Sequence, residues 1–267
     1  MWLGEQLTEK GIGNGISLII TASILSRMPV AFHRVAQLVS AGQLNFLTVI
    51  LMIVLIFAVV AAAIIVNESE RRVPVQYAKR VIGRRVYGGQ STYLPIKLNQ
   101  GGVIPLIFAI SILTFPATIL TFSPNRVLQN VSQILSPSSG PGMFLYAILT
   151  IFFCYFYAGI IFNPDNVAED LQKYGGFIQG IRPGKSTALY LERVLNRITL
   201  PGSLMLVSIA IFPYIIMRIF KIPYIVASLF GGIGLLIVVS VLIETIRQVE
   251  AHLLLRHYEG FIKKHRK

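Results

Sequence analysis

The sequence is poor in charged residues, and most of the charges it has are basic. Charged residues make up 13% of the 267 positions, against 54% hydrophobic residues, whereas a soluble globular domain has about 25% charged residues. There are 24 Lys and Arg residues, 11 acidic residues and one cysteine, Cys154. This charge content is too low for an ordinary soluble surface, and a single cysteine excludes an internal disulfide.

Motifs for catalysis and for nucleotide or metal binding are also lacking. Gly184 and Lys185 look like the end of a phosphate-binding loop, but the first glycine of that motif would fall at Gln179. The four histidines lack the spacing of metal ligands: His33, His252, His257 and His265. We therefore expect no enzymatic activity, no cofactor and no metal site.

Long apolar blocks, in contrast, are abundant. A helix needs about 20 mostly apolar residues to cross a hydrocarbon core about 30 Å thick. Six segments meet this requirement: about 12–33, 44–66, 102–123, 142–162, 202–220 and 224–243. The sequence therefore predicts an all-α, polytopic transmembrane helix bundle with six spans.

The basic residues lie between these spans and favour one side of the membrane. Nineteen of the 24 fall on the side that also holds both ends of the chain. The five on the other side are Arg27, Arg34, Arg126, Arg218 and Lys221. Because loops rich in Lys and Arg stay in the cytoplasm, we predict cytoplasmic termini. Since the charge follows the spans, it does not indicate a nucleic-acid partner.

Two cytoplasmic segments, 67–101 and 163–201, are predicted to be folded. In the first, alternation at Val73, Val75 and Tyr77 predicts an extended hairpin with basic residues near its tip. A solvated basic loop that contacts lipid headgroups is the alternative.

The second segment shows two short helical patterns. One begins at Asn163-Pro164 and ends at Gly175-Gly176. Its common face holds Val167, Leu171 and Tyr174. Thr187 is expected to cap the next helix, which has an apolar stripe of Leu191, Val194, Leu195 and Ile198. Between them, residues 180–184 predict a constrained turn that presents Arg182 outward, so the two loops indicate a docking surface.

Several stretches resemble one protein family. They are Met1–Gln6, Gly11–Ser17, Tyr77–Arg80, Gly83–Tyr87, Gln90–Thr92, Gly102–Pro105, Phe115–Thr118, Phe162–Pro164, Gly180–Gly184, Leu235–Val239 and Tyr258–Phe261. Together they resemble the SecY channel subunit of the bacterial protein-translocation complex. That family has ten membrane helices, of which this sequence resembles the fifth to the tenth. We therefore expect a fragment that lacks the plug and one wall of the lateral gate.

The resemblance implies a pore and a gate. The family's pore constriction is a ring of aliphatic side chains, and the matching positions are Ile16, Ile20, Ile107 and Ile237. The third and fourth spans match the second wall of the lateral gate, where Pro105 and Pro116 would weaken the helix or give it static kinks. The external turn near 34–43 matches the hinge between the two halves of the channel.

The resemblance also implies partners. The cytoplasmic loops match the docking site for the SecA motor and the ribosome, with candidate residues Arg80, Arg84, Arg85, Arg182 and Lys185. Further expected partners are SecE, SecG, the N-terminal half of the same channel, signal sequences, nascent polypeptides and membrane lipid. The expected location is the bacterial cytoplasmic (inner) membrane.

The sequence thus predicts two parts. Residues 1–43 hold the first transmembrane helix and the external hinge, and residues 44–267 hold five transmembrane helices, both cytoplasmic loops and a cytoplasmic tail at 245–267. The expected function is part of a protein-conducting channel, which this fragment alone would not form. The alternatives are a six-span small-solute secondary carrier and a non-conducting membrane docking scaffold. The carrier predicts a polar site at the midplane and an internal repeat, and the sequence shows neither.

Overall fold

The protein is described here by a computed structural model, which covers residues 2–11, 13–77, 80–82, 85–87 and 91–264. The helices are α1 (Trp2–Lys10), α2 (Gly15–Leu25), α3 (Met28–Ser40), α4 (Phe46–Glu68), α5 (Ile104–Thr121), α6 (Arg126–Leu135), α7 (Gly140–Ile161), α8 (Pro164–Lys173), α9 (Lys185–Phe220), α10 (Tyr224–Ala227) and α11 (Gly232–Lys264). The strands are β1 (Glu70–Tyr77), β2 (Arg80–Ile82), β3 (Arg85–Tyr87), β4 (Ser91–Lys97) and β5 (Gly176–Phe177).

Six helical stretches of the described chain are long and apolar enough to cross a membrane. They are Gly15–Ser40, Phe46–Glu68, Ile104–Thr121, Gly140–Lys173, Lys185–Phe220 and Tyr224–Leu254. Many of their large apolar side chains are exposed, as expected for residues that lipid covers in a membrane. The predicted all-α bundle with six spans is confirmed, and the chain is a multi-pass membrane protein.

The first span departs from its prediction. α2 ends at Leu25 and α3 begins at Met28, because Pro29 in the first turn favours a new helix start. Residues 34–40 are therefore helical, so the expected external turn at 34–43 is wrong over most of its length. The chain turns at 41–45 instead, where Gly42 has a φ of +70° and the N–H of Gln43 donates to the carbonyl of Leu38.

The last two spans also differ from their prediction. α9 begins at Lys185 and continues through Pro201, so the fifth span and the helix before it are one element. The sixth consists of α10, a 3₁₀ turn at Ser228–Phe230 and α11. Gly231 and Gly232 have φ values of +154° and +81°, and this glycine pair separates the turn from α11.

The chain forms two compact units. The first comprises Met1–Ile64 and Ile209–Lys267. In it α1 folds back on α2: the hydroxyl of Thr8 donates to the carbonyl of Gly4 and accepts from the N–H of Gly15. A side chain at Gly15 would clash with the carbonyl of Gly4, so glycine is required for this close approach. Its core contains Leu44, Met52, Ile216, Ile222, Val226 and Ala227.

The second unit comprises Ile65–Ser208. Its three-stranded sheet has the order β4-β1-β5, with β1 antiparallel to both neighbours, and β2 pairs with β3 in a separate hairpin. The core below the sheet contains Val73, Val75, Ile96, Ala158, Leu171, Ile178, Leu191 and Leu195. The predicted hairpin at 67–101 is therefore confirmed.

The segment 163–201 follows its prediction in part. Asn163 caps α8 by accepting from the N–H groups of Asp165 and Asn166, as expected for that residue type. Tyr174, expected on a common face with Val167 and Leu171, follows the last residue of α8 and is 77% exposed. The expected cap at Thr187 is wrong, because α9 already begins at Lys185 and the hydroxyl of Thr187 donates to the carbonyl of Arg182.

Candidate docking surface and pore positions

The two basic loops form one folded body within the second unit. β5 comes from the second loop and pairs with β1 of the first, with Gln76 opposite Phe177 and Tyr77 opposite Gly176. The stripe of α9 and the buried face of α8 pack below this sheet. We call β1, β4, β5, α8, the turn at 178–184 and residues 185–198 of α9 the loop body. Separate sequence patterns predicted both loops but gave no sign that they share a sheet.

Arg182 lies at the tip of a constrained turn of the loop body. Gly180 and Gly184 flank it with φ values of +78° and +95°, a region that favours glycine. The hydroxyl of Thr187 donates to the carbonyl of Arg182 at 2.9 Å, and the N–H of Thr187 donates to the carbonyl of Gly184 at 2.9 Å. The turn therefore fixes the backbone of Arg182 and leaves its side chain exposed.

Lys185 begins α9 directly after this turn, and its side chain is also exposed. Within the described part of the chain, neither Arg182 nor Lys185 forms an ion pair. Lys173 on α8, in contrast, lies 3.6 Å from Glu169 and 3.7 Å from Asp170. The turn thus presents two uncompensated positive charges, which suits recognition of an acidic surface on another molecule.

The three arginines of the first loop are described less fully. Arg80 lies on β2 opposite Tyr87, and Arg85 lies on β3 opposite Ile82. Arg84 lies outside the described residues. The structure thus places Arg80 and Arg85 on the two strands of one short hairpin.

Three of the four predicted pore positions lie in the first unit. Ile16 and Ile20 lie on α2, 39% and 44% exposed, and Ile237 on α11 is half-buried. α2 and α11 run antiparallel: a Cβ on Gly234 would lie 3.4 Å from Ile24, and one on Gly13 would lie 3.5 Å from Thr245.

This register places Ile20 and Ile237 at about the same level of the two helices. The fourth position, Ile107, lies on α5 in the second unit and is 41% exposed. Asn14, which made the first span look polar, caps α2 by accepting from the N–H groups of Ile16 and Ser17. Asn14 is therefore polar because it caps the N-terminus of α2.

The two prolines predicted to weaken α5 have different positions. Pro105 lies in the first turn of α5, where a missing N–H removes no helical hydrogen bond. The expectation that Pro105 weakens or kinks this helix is therefore wrong. Pro116 lies inside α5 and leaves the carbonyl of Ile112 without its helical donor.

A second softening feature of α5 was missed in the sequence. Four hydroxyl side chains donate to the carbonyl one turn earlier, at distances of 2.6 to 2.9 Å: Ser111, Thr114, Thr118 and Thr121. Such bonds weaken and bend helices. The signal was present as Ser or Thr at positions 111, 114, 118 and 121, a spacing of three or four residues.

Cavities and metal sites add little to this picture. A groove of about 360 Å³ lies between the end of α7, the start of α8 and α9, lined among others by Tyr155, Asp165, Glu192 and Asn196. Over the described residues no cluster of His, Cys, Asp and Glu has the arrangement of a metal site. The features that stand out are the Arg182 turn, the α2 face and the hydroxyl-lined α5.

Comparisons with known sequences point to one family. The SecY family profile matches residues 1–246. The chain is 48% identical to the protein translocase subunit SecY of Thermotoga maritima over 99% of its own length and 59% of that protein. It is 44% identical to the subunit of the same name from Escherichia coli K12, over 99% of this chain and 60% of that protein. The chain therefore spans about 60% of the length of these curated relatives.

Solved structures agree at the level of the fold. A structure described as a protein-conducting channel matches 93% of this chain and 61% of its own chain, with a TM-score of 0.56 and 19% identity. A second, described as a SecY protein with its plug domain, matches 94% of this chain with a TM-score of 0.57 and 19% identity. With the family profile and the close relatives, these matches lead to one conclusion: the chain belongs to the SecY family.

Proposed function

We propose that this chain is the C-terminal part of a protein-conducting channel in the bacterial cytoplasmic membrane, with both termini cytoplasmic. The whole channel would translocate secretory polypeptides across the membrane and release membrane proteins laterally into it. Family membership supports this function. The loop body supports it as well, because the loops between the spans form a folded basic surface, whereas a plain connection between two spans would need only a short loop. The channel would work by gating rather than by bond chemistry, without a cofactor.

In this proposal the loop body receives the partner that drives the chain. Arg182 and Lys185, with Arg80, Arg84 and Arg85 of the first loop, would dock the SecA motor or the ribosome. SecE, SecG and the N-terminal half of the channel would complete the assembly. The two glycines and the Thr187 hydrogen bond hold the backbone of Arg182 before a partner binds, which lowers the entropy cost of ordering this residue on binding.

The proposed pore wall is the face of α2 that holds Ile16 and Ile20. With Ile107 and Ile237 these residues would form an aliphatic ring, which excludes water and ions when empty and yields around a passing chain. The partial exposure of Ile16, Ile20 and Ile107 leaves their side chains accessible to a polypeptide. α5, softened by Pro116 and its hydroxyl groups, would be the moving helix of the lateral gate.

A docking scaffold that conducts nothing is the second candidate, because the loop body is complete within this chain. Crosslinking separates the two. A photo-crosslinker replaces Ile20 in the full-length protein, and a stalled secretory chain engages the channel. The matched control replaces Ala22, which is exposed but lies about 200° from Ile20 around α2, since each residue turns about 100°.

The channel proposal expects at least tenfold more crosslinking to the middle of the stalled chain from position 20 than from position 22. Equal yields, or crosslinks to lipid alone while a signal-sequence probe confirms engagement, would contradict the pore assignment. They would favour the scaffold, which needs docking but no contact between α2 and the substrate.

A further inference from the structure

The helix α6 connects α5 to α7 at the ends of these spans that lie away from the loop body. It separates apolar from polar residues around its axis. At about 100° per residue, one arc holds Val127, Leu128, Val131, Ile134 and Leu135. The opposite arc holds Arg126, Gln129, Asn130 and Gln133. Such a short amphipathic helix needs something apolar to cover one side.

Within the second unit, the apolar arc of α6 is largely uncovered. Val127 is 66% exposed and Ile134 is 52% exposed. Leu128 and Val131 are each 37% exposed. The remaining apolar residue, Leu135, is half-buried.

Hydrogen bonds to α5 and to the turn that follows it fix the direction in which this arc points. Ser132, the buried residue of α6, donates to the carbonyl of Ala117 at 2.6 Å and pairs with the hydroxyl of Thr121 at 2.8 Å. The amide of Gln129 donates to the carbonyl of Ser123 at 3.0 Å. Ser132 and Gln129 lie on one side of α6, and Val127 and Ile134 on the opposite side are the most exposed residues of the apolar arc.

We propose that α6 is an interfacial helix whose apolar arc inserts into the boundary between lipid headgroups and acyl chains. The lipid-covered surface of the adjoining spans continues to it, because Phe122 at the end of α5 is 84% exposed and Phe144 at the start of α7 is 70% exposed. Helices of this kind lie in the plane of the interface with their apolar face buried about 5–10 Å deep.

Charge fits the same partner. Residues 121–142 contain Arg126 and no acid, so phospholipid phosphates meet no repulsion there. The long side chain of Arg126 lies on the polar arc, from which it can extend to the phosphates. The lipid surface is therefore the occupant that satisfies both arcs of α6.

The position of α6 also has a mechanical consequence. The hydroxyl of Ser132 donates to the carbonyl of Ala117, the residue after Pro116, so α6 is attached to α5 directly after the turn that Pro116 weakens. A displacement of α6 in the interface would therefore act on α5 next to Pro116. The inference does not rest on the proposed function, since it requires only that α5 and α7 cross the membrane.

Depth-dependent quenching tests the proposal. Val131→Cys on the apolar arc and Gln133→Cys on the polar arc are made in the full-length protein with Cys154→Ser, then labelled with an environment-sensitive fluorophore. The proteins are placed in vesicles of phosphatidylethanolamine and phosphatidylglycerol. Lipids with a nitroxide near the headgroup should quench position 131 at least twofold more than position 133, and aqueous iodide should show the reverse order.

Two results would overturn the proposal. Equal iodide quenching at both positions would place α6 in water, and protection of position 131 from both quenchers would show that protein covers the arc. A second measurement needs no substitution in α6: a photoactivatable phospholipid is crosslinked to the unmodified protein. Labelling of residues 126–135 is expected, and its absence despite labelling of α5 and α7 would equally contradict the interfacial position.

Discussion

At the scale of single residues, Arg182 combines a backbone that the fold holds in place with a charged side chain that is exposed to solvent. Its carbonyl accepts from Thr187 and its neighbours Gly180 and Gly184 adopt left-handed backbone, while its side chain is exposed. Because the guanidinium is on an exposed side chain, a change there should affect recognition rather than folding.

Arg182→Glu is therefore expected to impair motor-driven translocation while insertion of the chain into the membrane stays intact. Loss of a charged hydrogen bond costs about 2 kcal/mol, which corresponds to roughly thirtyfold weaker motor binding. The measurement is the binding of the motor to membranes that contain the full-length channel, with translocation of a secretory substrate as the second readout.

Lys173→Glu is the matched control, because it makes the same change of charge at another exposed site of the loop body. Lys173 already has Glu169 and Asp170 nearby, so its reversal should leave motor binding within about twofold of the parent. Equal translocation by the Arg182 variant and the parent would count against the docking assignment.

At the scale of elements, the sequence predicted what local patterns encode. Alternation of Val73 and Val75 indicated β1, and Asn163-Pro164 indicated the start of α8; both are confirmed. The pairing of β5 with β1 had no such signal, because β5 has two residues and its partner lies about 100 residues earlier. Pairing over that distance depends on the core that the two loops share, and no local sequence pattern indicates that core.

The errors at this scale also have local causes. The prediction separates the helical pattern before residue 201 from the fifth span at 202–220, whereas α9 runs without a break from Lys185 to Phe220 and passes through Pro201, a residue that usually interrupts a helix. The first span was ended too early, because α3 holds polar and charged residues such as His33 and Arg34. Pro105 is predicted to weaken the third span because that span is expected to begin at about residue 102, whereas α5 begins at Ile104 and Pro105 lies in its first turn.

Pro116 offers a test of the mechanical role of α5. Pro116→Ala restores the N–H that can donate to the carbonyl of Ile112, and one hydrogen bond contributes about 1 kcal/mol. Amide hydrogen exchange around residues 112–117 should therefore become roughly fivefold slower. Lateral release of a membrane-protein substrate from the full-length channel should slow as well, because the helix bends less readily.

Pro105→Ala is the control for this prediction. Its new N–H lies in the first turn of α5, where the helix provides no acceptor, so exchange in the middle of α5 should not change. If Pro116→Ala leaves both exchange and release unaltered, the bend of α5 is not what limits the gate. Slower exchange with unaltered release would confirm the softening but not its use.

At the scale of the whole molecule, the distribution of charge predicts the orientation in the membrane. The side with nineteen Lys and Arg residues includes the loop body, and the other side has five. An inverted chain would have to move the basic loops across the membrane against a potential that opposes each charge by about 2.3 kcal/mol per 100 mV. Alternation of the six spans ties all these segments together, so one experiment at two sites tests the complete arrangement.

The orientation predicts opposite accessibility for Gln43 and Lys173. Gln43→Cys lies in the exposed turn after α3, and Lys173→Cys lies on the exposed end of α8. In full-length protein with Cys154→Ser, a membrane-impermeant maleimide added to intact spheroplasts should label position 43 at least tenfold more than position 173. Permeabilisation should make the two yields equal, which controls for reactivity. The reverse order would place the loop body outside the cell, where neither motor nor ribosome reaches it. Equal labelling before permeabilisation would show two populations of opposite orientation. Each result would contradict both the topology and the docking role of Arg182.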